Sequence, residues 1–229
     1  MAGVIAVAHR GDPYRVRENT LASFRSAIAA GADAVELDVR LSADGVPVVV
    51  HDATLKRLWG HDLPVASLTA RRIAELTGGG VPTLAEALAV TAPVRTLIDL
   101  PERASATALA AMAVVRETGT GARVWYCGDV AALRAVRAAD AAAEIALTWK
   151  RAARPRDALL AEVRPRWLNY RFGLITRETV ERARADGYRV AAWTADSRRT
   201  MRRLLALGVT AITTNRVAVL RSVLGATGR

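Results

Sequence analysis

Lysine is almost missing from this chain. Only Lys56 and Lys150 occur among its 33 basic residues, so arginine carries nearly all of the net charge of +11. The arginines are scattered (Arg71-Arg72, Arg182, Arg184, Arg198-Arg199, Arg202-Arg203) and fall on the polar faces of helix-like stretches, which reads as solvated surface. No basic motif interleaved with aromatics supports nucleic-acid binding. The excess charge still attracts small anionic partners at long range. Cysteine is represented by Cys127 alone, which excludes an internal disulfide. It lies in the apolar run Val124-Trp125-Tyr126-Cys127 and reads as a buried structural thiol. Long apolar runs are also lacking: none approaches the roughly 20 residues of a membrane span. The first apolar stretch, 4–8, is too short for a secretory h-region. These absences lead to the expectation of a soluble, cytoplasmic protein with no membrane span.

What is present alternates. Hydrophobic content of 52% and charged content of 24% suit a globular protein. Strand-like runs lie at 4–8, 34–39, 94–99, 123–127, 143–148, 166–169, 189–194 and 211–214. Helix-like runs lie between them, at 20–30, 84–89, 105–118, 130–138, 156–163, 177–185 and 198–206, with a closing one at 217–224. Asn19, Thr83, Asp129, Thr176 and Ser197 read as starts, and Gly31, Gly119, Gly187 and Gly208 as stops. The expected fold class is α/β: a single (β/α)8 TIM barrel over residues 1–229. An open, doubly wound sheet is the competing architecture.

A further strand-like run at 46–51 does not fit that count. It follows the second strand after only Ser42-Ala43-Asp44-Gly45, far too short for a parallel crossover, so it implies a hairpin. A four-residue loop pairs Glu36 with His51, and a two-residue loop pairs Asp38 with His51. Both put His51 on the face of the carboxylates; a three-residue loop turns it away. Residues 53–82 read as a short irregular insertion with one helix near 70–76.

The chemistry-bearing residues gather at strand ends, where a barrel builds its site. Two of only three histidines do so, His9 and His51; the third, His61, reads as surface. Glu36 and Asp38, two apart on one strand, share a face, and Asp99 ends the next strand. Adjacent inward carboxylates repel unless a cation joins them. Their oxygen ligands suit a hard divalent metal, Mg²⁺ or Ca²⁺. His9 and His51 then flank a phosphate as acid and base, in an order the sequence leaves open. Arg10 is placed to grip a phosphate oxygen.

The stretch from Val4 to Leu58 resembles the glycerophosphodiester phosphodiesterase family. The resemblance rests on His9-Arg10-Gly11, Glu18-Asn19-Thr20, Glu36-Leu37-Asp38, the segment from Asp44 to Asp52, and Leu55-Lys56-Arg57. Val81-Pro82-Thr83-Leu84, Trp193-Thr194 and the segment from Gly208 to Thr214 are similar to its later landmarks. The resemblance implies a barrel enzyme that uses a divalent metal to hydrolyse a small-molecule glycerophosphodiester to an alcohol and glycerol 3-phosphate. It implies His9 and His51 as the acid/base pair, Glu36 and Asp38 as metal ligands and Arg10 as a phosphate contact. It also implies Trp193 as an aromatic lining the pocket. Glu18 falls on a motif glutamate near the site and alternatively supports the first helix.

The chain departs from that pattern. Asp99-Leu100-Pro101 stands where the family has Glu-x-Lys, so a phosphate-contacting charge is missing, and Thr214-Asn215 stands for Thr-Asp. Arg171, after the sixth barrel strand, is the expected replacement for that charge, its alternative being a surface arginine. Two other functions remain open at this level. One is a phospholipase-D-like barrel that forms a cyclic phosphate from lysophospholipids. The other is a barrel that binds phosphate and metal without turnover.

Overall fold

A computed structural model describes residues 3–227. Eight parallel strands form a nearly closed barrel: β1 (Ile5–His9), β2 (Ala34–Leu41), β4 (Arg95–Leu100), β5 (Val124–Gly128), β6 (Ala146–Trp149), β7 (Trp167–Arg171), β8 (Arg189–Trp193) and β9 (Ala211–Thr214). A ninth, β3 (Pro47–Val49), pairs antiparallel with β2 alone. The order around the barrel is β5-β4-β2-β1-β9-β8-β7-β6. A single parallel bridge between Tyr126 and Ile145 closes the ring. Around it lie the helices α1 (Leu21–Ala29), α2 (Lys56–Trp59), α3 (Ala70–Thr77), α4 (Leu84–Val90), α5 (Ser105–Glu117), α6 (Val130–Ala139), α7 (Asp157–Val163), α8 (Arg177–Ala185), α9 (Arg198–Leu207) and α10 (Val217–Thr227).

Period-two alternation sorts each strand between two layers. In β2, Val35, Leu37 and Val39 join the core under the helices, whereas Ala34 joins a small interior cluster with Val7, Leu97 and Trp167. Glu36 and Asp38 continue the interior face upward. Helix starts follow local chemistry. The Thr83 side chain accepts from the Glu86 amide while Glu86 reaches back to Thr83, a reciprocal cap on α4. In α9, Met201 and Leu204 are buried and most arginines point outward; Arg203 instead donates to the carbonyls of Phe172 and Ile175. Arg137 departs from the solvated pattern more strongly. It is buried and donates to the carbonyls of Val163, Ala141 and Ala143, holding the end of α6 to the chain after α7.

The hairpin register differs from both expectations. Val39 faces Val49, Arg40 faces Val48 and Leu41 faces Pro47, so five residues, 42–46, form the connection. Ser42 closes it, its amide donating to the Val46 carbonyl while its Oγ donates to Asp44. That odd-numbered loop puts Leu37, not Glu36 or Asp38, in line with His51. A straight continuation would send His51 toward the helix layer, where Val49 packs. The chain instead leaves the strand after Val49 and bends at His51. Arg40 holds the bend, donating from Nε to the His51 carbonyl at 2.8 Å while pairing with Glu102 at 2.6 Å.

The insertion is more ordered than its composition implies. It contains α2, a 3-10 turn at Val65–Ser67, and α3 where a helix was expected. These elements bury Leu55, Val65, Ile73 and Val81 against Val48 and Val50 of the hairpin, giving the segment its own small core.

Candidate active site

The exit from β1 needs an unusual backbone. Arg10 has φ 54° and Gly11 φ 88°. A Cβ at Gly11 would lie 2.3 Å from Ser23 Oγ, so no side chain fits there. This turn brings the Arg10 amide to Glu36 Oε2 at 3.0 Å. Glu36 and Asp38 point inward from β2, and the register sets Asp99 of β4 beside Asp38. Ligand oxygens of Glu36, Asp38 and Asp99 lie within 4.8 Å of one another.

Burial and like-charge repulsion mark Glu36 and Asp99 electrostatically. Glu36 is held well above the ordinary carboxylate range, first by burial and then by the charges of Asp38 and Asp99. Asp99 is open to the cavity on one side and otherwise enclosed. Burial, then the Asp38 charge, pushes it up to about 6. Cys127, from β5, lies with Sγ 3.5 Å from Asp99 Oδ1, and burial raises its thiol well above its ordinary range. Asp38 Oδ1 is buried without a hydrogen-bond partner. An orphaned carboxylate oxygen beside two further carboxylates is a donor set for a hard divalent cation.

Both imidazoles open onto the same cavity of about 590 Å³, with Glu36, Asp99, Lys150 and Trp193 also on its wall. Each is held by its Nδ1. His9 Nδ1 lies 2.7 Å from Asn215 Oδ1. Asn215 Nδ2 donates to Asp196 Oδ2 at 2.8 Å, and its amide and the Thr214 hydroxyl donate to Asp196 Oδ1. A carboxylate only accepts, so Asp196 fixes the Asn215 amide with its oxygen toward His9. His9 is thereby assigned a proton on Nδ1, which leaves Nε2 toward Glu36, 4.0 Å away. Burial, then the neighbouring Arg10 charge, lowers the His9 pKa. His51 repeats the arrangement with a charged partner: its Nδ1 donates to Asp52 at 2.7 Å, and Asp52 is held by Arg57 at 2.6 Å.

Arg10 lines the cavity with its guanidinium engaged, at 2.9 Å from Glu18 and 3.2 Å from Asp38. Glu18 lies behind it, bridging Arg10 and Arg57. Burial alone would raise the Glu18 pKa, but the hydrogen bonds from Arg57 and Arg10 outweigh it and hold the carboxyl below its ordinary value. Trp193 lines the cavity, its Nε1 donating to the Asn169 carbonyl. Arg171 does not line it. The chain turns into a 3-10 turn at Phe172–Leu174 just past that residue, and Arg171 is exposed. The cations on that half of the wall are Lys150 and Arg151, just past β6, with Lys150 over the Trp193 ring at 5.8 Å.

Three neutral amides in the site are not among the expected site residues, although Asn19 lies in the Glu18-Asn19-Thr20 motif and Asn215 in the Thr214-Asn215 departure. Asn19 reads as a helix start, yet Thr20 caps α1, and Asn19 (φ 56°) donates instead to Asp38 Oδ2 at 2.8 Å. Asn215 reads as a lost charge, yet it anchors His9, and Asp196 behind it supplies the carboxylate. Asn169 reads only as part of a strand. The Trp-Thr-Ala-Asp run from Trp193 to Asp196 was the available cue to the second of these.

Comparisons with known proteins bear on the family and the fold. The sequence model of the Glycerophosphoryl diester phosphodiesterase family matches residues 9–219. The curated Mycobacterium tuberculosis protein named "Probable glycerophosphodiester phosphodiesterase 2" is 32% identical over 247 residues, 99% of this chain and 92% of that one. A glycerophosphodiester phosphodiesterase of Caldanaerobacter subterraneus is 44% identical over 75 residues, 33% of this chain; the match thus spans about a third (31%) of that relative. Among solved structures, a Thermotoga maritima glycerophosphodiester phosphodiesterase superposes with a TM-score of 0.82 at 26% identity, over 97% of this chain and 99% of that one. An Oleispira antarctica phosphodiesterase in complex with the product sn-glycerol-3-phosphate shares the fold at a TM-score of 0.86 and 24% identity, over 96% of each chain.

Proposed function

This chain belongs to the glycerophosphoryl diester phosphodiesterase family, and from that membership we propose that it hydrolyses glycerophosphodiesters to an alcohol and glycerol 3-phosphate. The observation that carries the reading is the convergence of two Nδ1-anchored imidazoles, Glu36 and Asp99 on one cavity, with Asp38 buried within 4.8 Å of the other two acids. The product complex of the Oleispira antarctica protein, on the same fold, supports the choice of substrate class.

Glu36, Asp38 and Asp99 would hold Mg²⁺ or Ca²⁺, whose chemistry here is to neutralise phosphate oxygens. The chain's own groups do the rest. Arg10 and Lys150 face the phosphate charge, Lys150 standing in for the cation that Pro101 cannot provide. One imidazole Nε2 takes the proton of the attacking hydroxyl, from water or from a neighbouring hydroxyl of the substrate; the second route gives a cyclic phosphate, which water then opens to glycerol 3-phosphate. The other imidazole gives a proton to the leaving alkoxide. Trp193 covers the substrate's carbon chain on the cavity wall. The substrate is a small water-soluble diester, and no helix among the described residues is long and apolar enough to cross a membrane. A cytoplasmic setting belongs to this reading, and the unpaired, buried Cys127 suits a reducing compartment.

The test is hydrolysis of glycerophosphocholine with added Mg²⁺ or Ca²⁺, followed by phosphorus NMR. His9→Ala is expected to cut kcat by about 10² to 10⁴. Wild-type protein without turnover, or turnover unchanged in His9→Ala, overturns the assignment.

A further inference from the structure

Across the mouth from the carboxylates, β7 presents Asn169 into the cavity. Its residue is only 5% exposed. Its backbone carbonyl is engaged by Trp193 Nε1 at 3.2 Å, and its Nδ2 makes a long contact of 3.5 Å to Thr148 Oγ1. That Thr148 oxygen also receives the Gly128 amide, at 3.4 Å. Asn169 Oδ1 is buried with no hydrogen-bond partner. Rotating the amide does not remove the problem, because it leaves the NH₂ end unpaired in the same place.

Buried amide oxygens are normally satisfied, and an unsatisfied one is costly unless something else meets it. The other orphaned atoms near this cavity have an account: Arg10 Nε faces Asp38 Oδ2 at 3.2 Å as an ion pair, and Asp38 Oδ1 belongs to the metal set. Asn169 belongs to neither. Its strand, β7, lies between β8, which ends in Trp193, and β6, which precedes Lys150, so it belongs to the wall assigned above to the substrate's carbon chain and phosphate charge.

We propose that Asn169 recognises a hydroxyl group of the glycerol half of the substrate, its Oδ1 accepting that O–H while the chain's carbons lie against Trp193. The inference rests on the proposed hydrolysis of glycerophosphodiesters and adds the residue that tells glycerol from a plain alkyl group. A site built around a hydroxyl discriminates strongly against the analogue that lacks it, because the buried acceptor is then left unpaired.

The first test needs no mutation. Calorimetry with Mg²⁺ present compares sn-glycerol 3-phosphate with propyl phosphate, which has the same carbons and phosphate but no hydroxyls. Glycerol 3-phosphate is expected to bind about tenfold or more tightly. Equal affinity, or binding of neither, overturns the proposal. The second test uses Asn169→Leu, which is close in size but accepts nothing, with Asn169→Ser as a smaller polar control. Glycerophosphocholine carries hydroxyls only on its glycerol half, and bis(4-nitrophenyl) phosphate carries none. In Asn169→Leu, kcat/KM for glycerophosphocholine is expected to fall roughly 10- to 100-fold, mainly through KM. Bis(4-nitrophenyl) phosphate is expected to stay within about twofold, and Asn169→Ser to recover part of the loss. Equal losses on both substrates indicate a structural role and overturn the proposal. So does a loss seen only with glycerophosphoglycerol, which places the contact on the alcohol half. A wild-type protein that binds glycerol 3-phosphate selectively but turns over no diester leaves this inference standing while sinking the proposed reaction.

Discussion

At the scale of single residues, the site divides into charged groups that announce themselves and neutral ones that do not. His9, His51, Glu36 and Asp38 are rare or repulsive where they stand, so chemistry alone singles them out. Asn19, Asn169 and Asn215 have no such mark, because an amide is at home in any turn or strand end and only its partners reveal its work. Arg171 illustrates the converse error. It shares its strand parity with Asn169, but one step past the rim the backbone turns away, and alternation stops predicting direction. The Asn215–Asp196 pair gives a sharp prediction, since it holds one negative charge over two carboxyl-sized positions. In Asn215→Asp a second carboxylate faces Asp196 at close range, with the like-charge repulsion that implies. Stability should fall by about 1–3 kcal/mol, and His9 should lose its fixed orientation. Adding Asp196→Asn should recover most of the loss, giving a coupling of about 0.5–3 kcal/mol in a double-mutant cycle read by urea unfolding. Additive effects would mean that the two side chains do not share a charge.

At the scale of elements, hydrophobic periodicity carried most of the information. Each strand of the barrel lies where an apolar run stands between capping residues, with ends shifted by a few residues. Loop length was the weak point. The hairpin connection is odd-numbered and shares the register of the three-residue loop that turns His51 away, whereas the four- and two-residue loops are even; one residue of parity inverts every facing pair. His51 reaches the mouth through a bend held by Arg40, and no count of strand residues contains that bend. The insertion was underestimated because its apolar residues are spread over a turn and two short helices rather than one periodic run. Ile73 is fully buried at its centre. Ile73→Ala should therefore cost about 2–5 kcal/mol, as for a core residue of the barrel itself. Equilibrium urea unfolding checks this; a cost below about 1 kcal/mol would show that the insertion packs loosely.

At the scale of the whole molecule, alternation of strand and helix made the barrel legible, because a repeating β/α order leaves few architectures. The electrostatic state of its mouth was not legible, since it depends on how deeply three acids are enclosed together. That state has a stability consequence whose sign is fixed. Asp99 is held at about 6, above its unfolded value of about 4, and Glu36 is shifted the same way. A raised carboxyl contributes stability that is complete below the unfolded pKa and is lost as pH rises through the folded one. With chelator present, the Tm of the wild type relative to Asp99→Asn should thus fall as pH rises from about 4 through about 6. Added Mg²⁺ or Ca²⁺ should raise the wild-type Tm at about pH 7.5 far more than at about pH 5, because the cation needs the deprotonated acids. An equal rise at both pH values would argue against this trio as the cation site.

The thin join between β5 and β6 gives the molecule a preferred place to breathe. One rung between Tyr126 and Ile145 fastens the circle, whereas β2 and β4 are zipped along five facing pairs. Deuterium should enter the backbone at Tyr126 before it reaches Leu37 or Ile98, and uniform exchange around the hoop would refute that ranking. The seam lies beside Lys150 on one side and, through Cys127, against Asp99 on the other. A loosening of that rung would therefore reach one acid of the trio directly, through the Cys127 contact to Asp99.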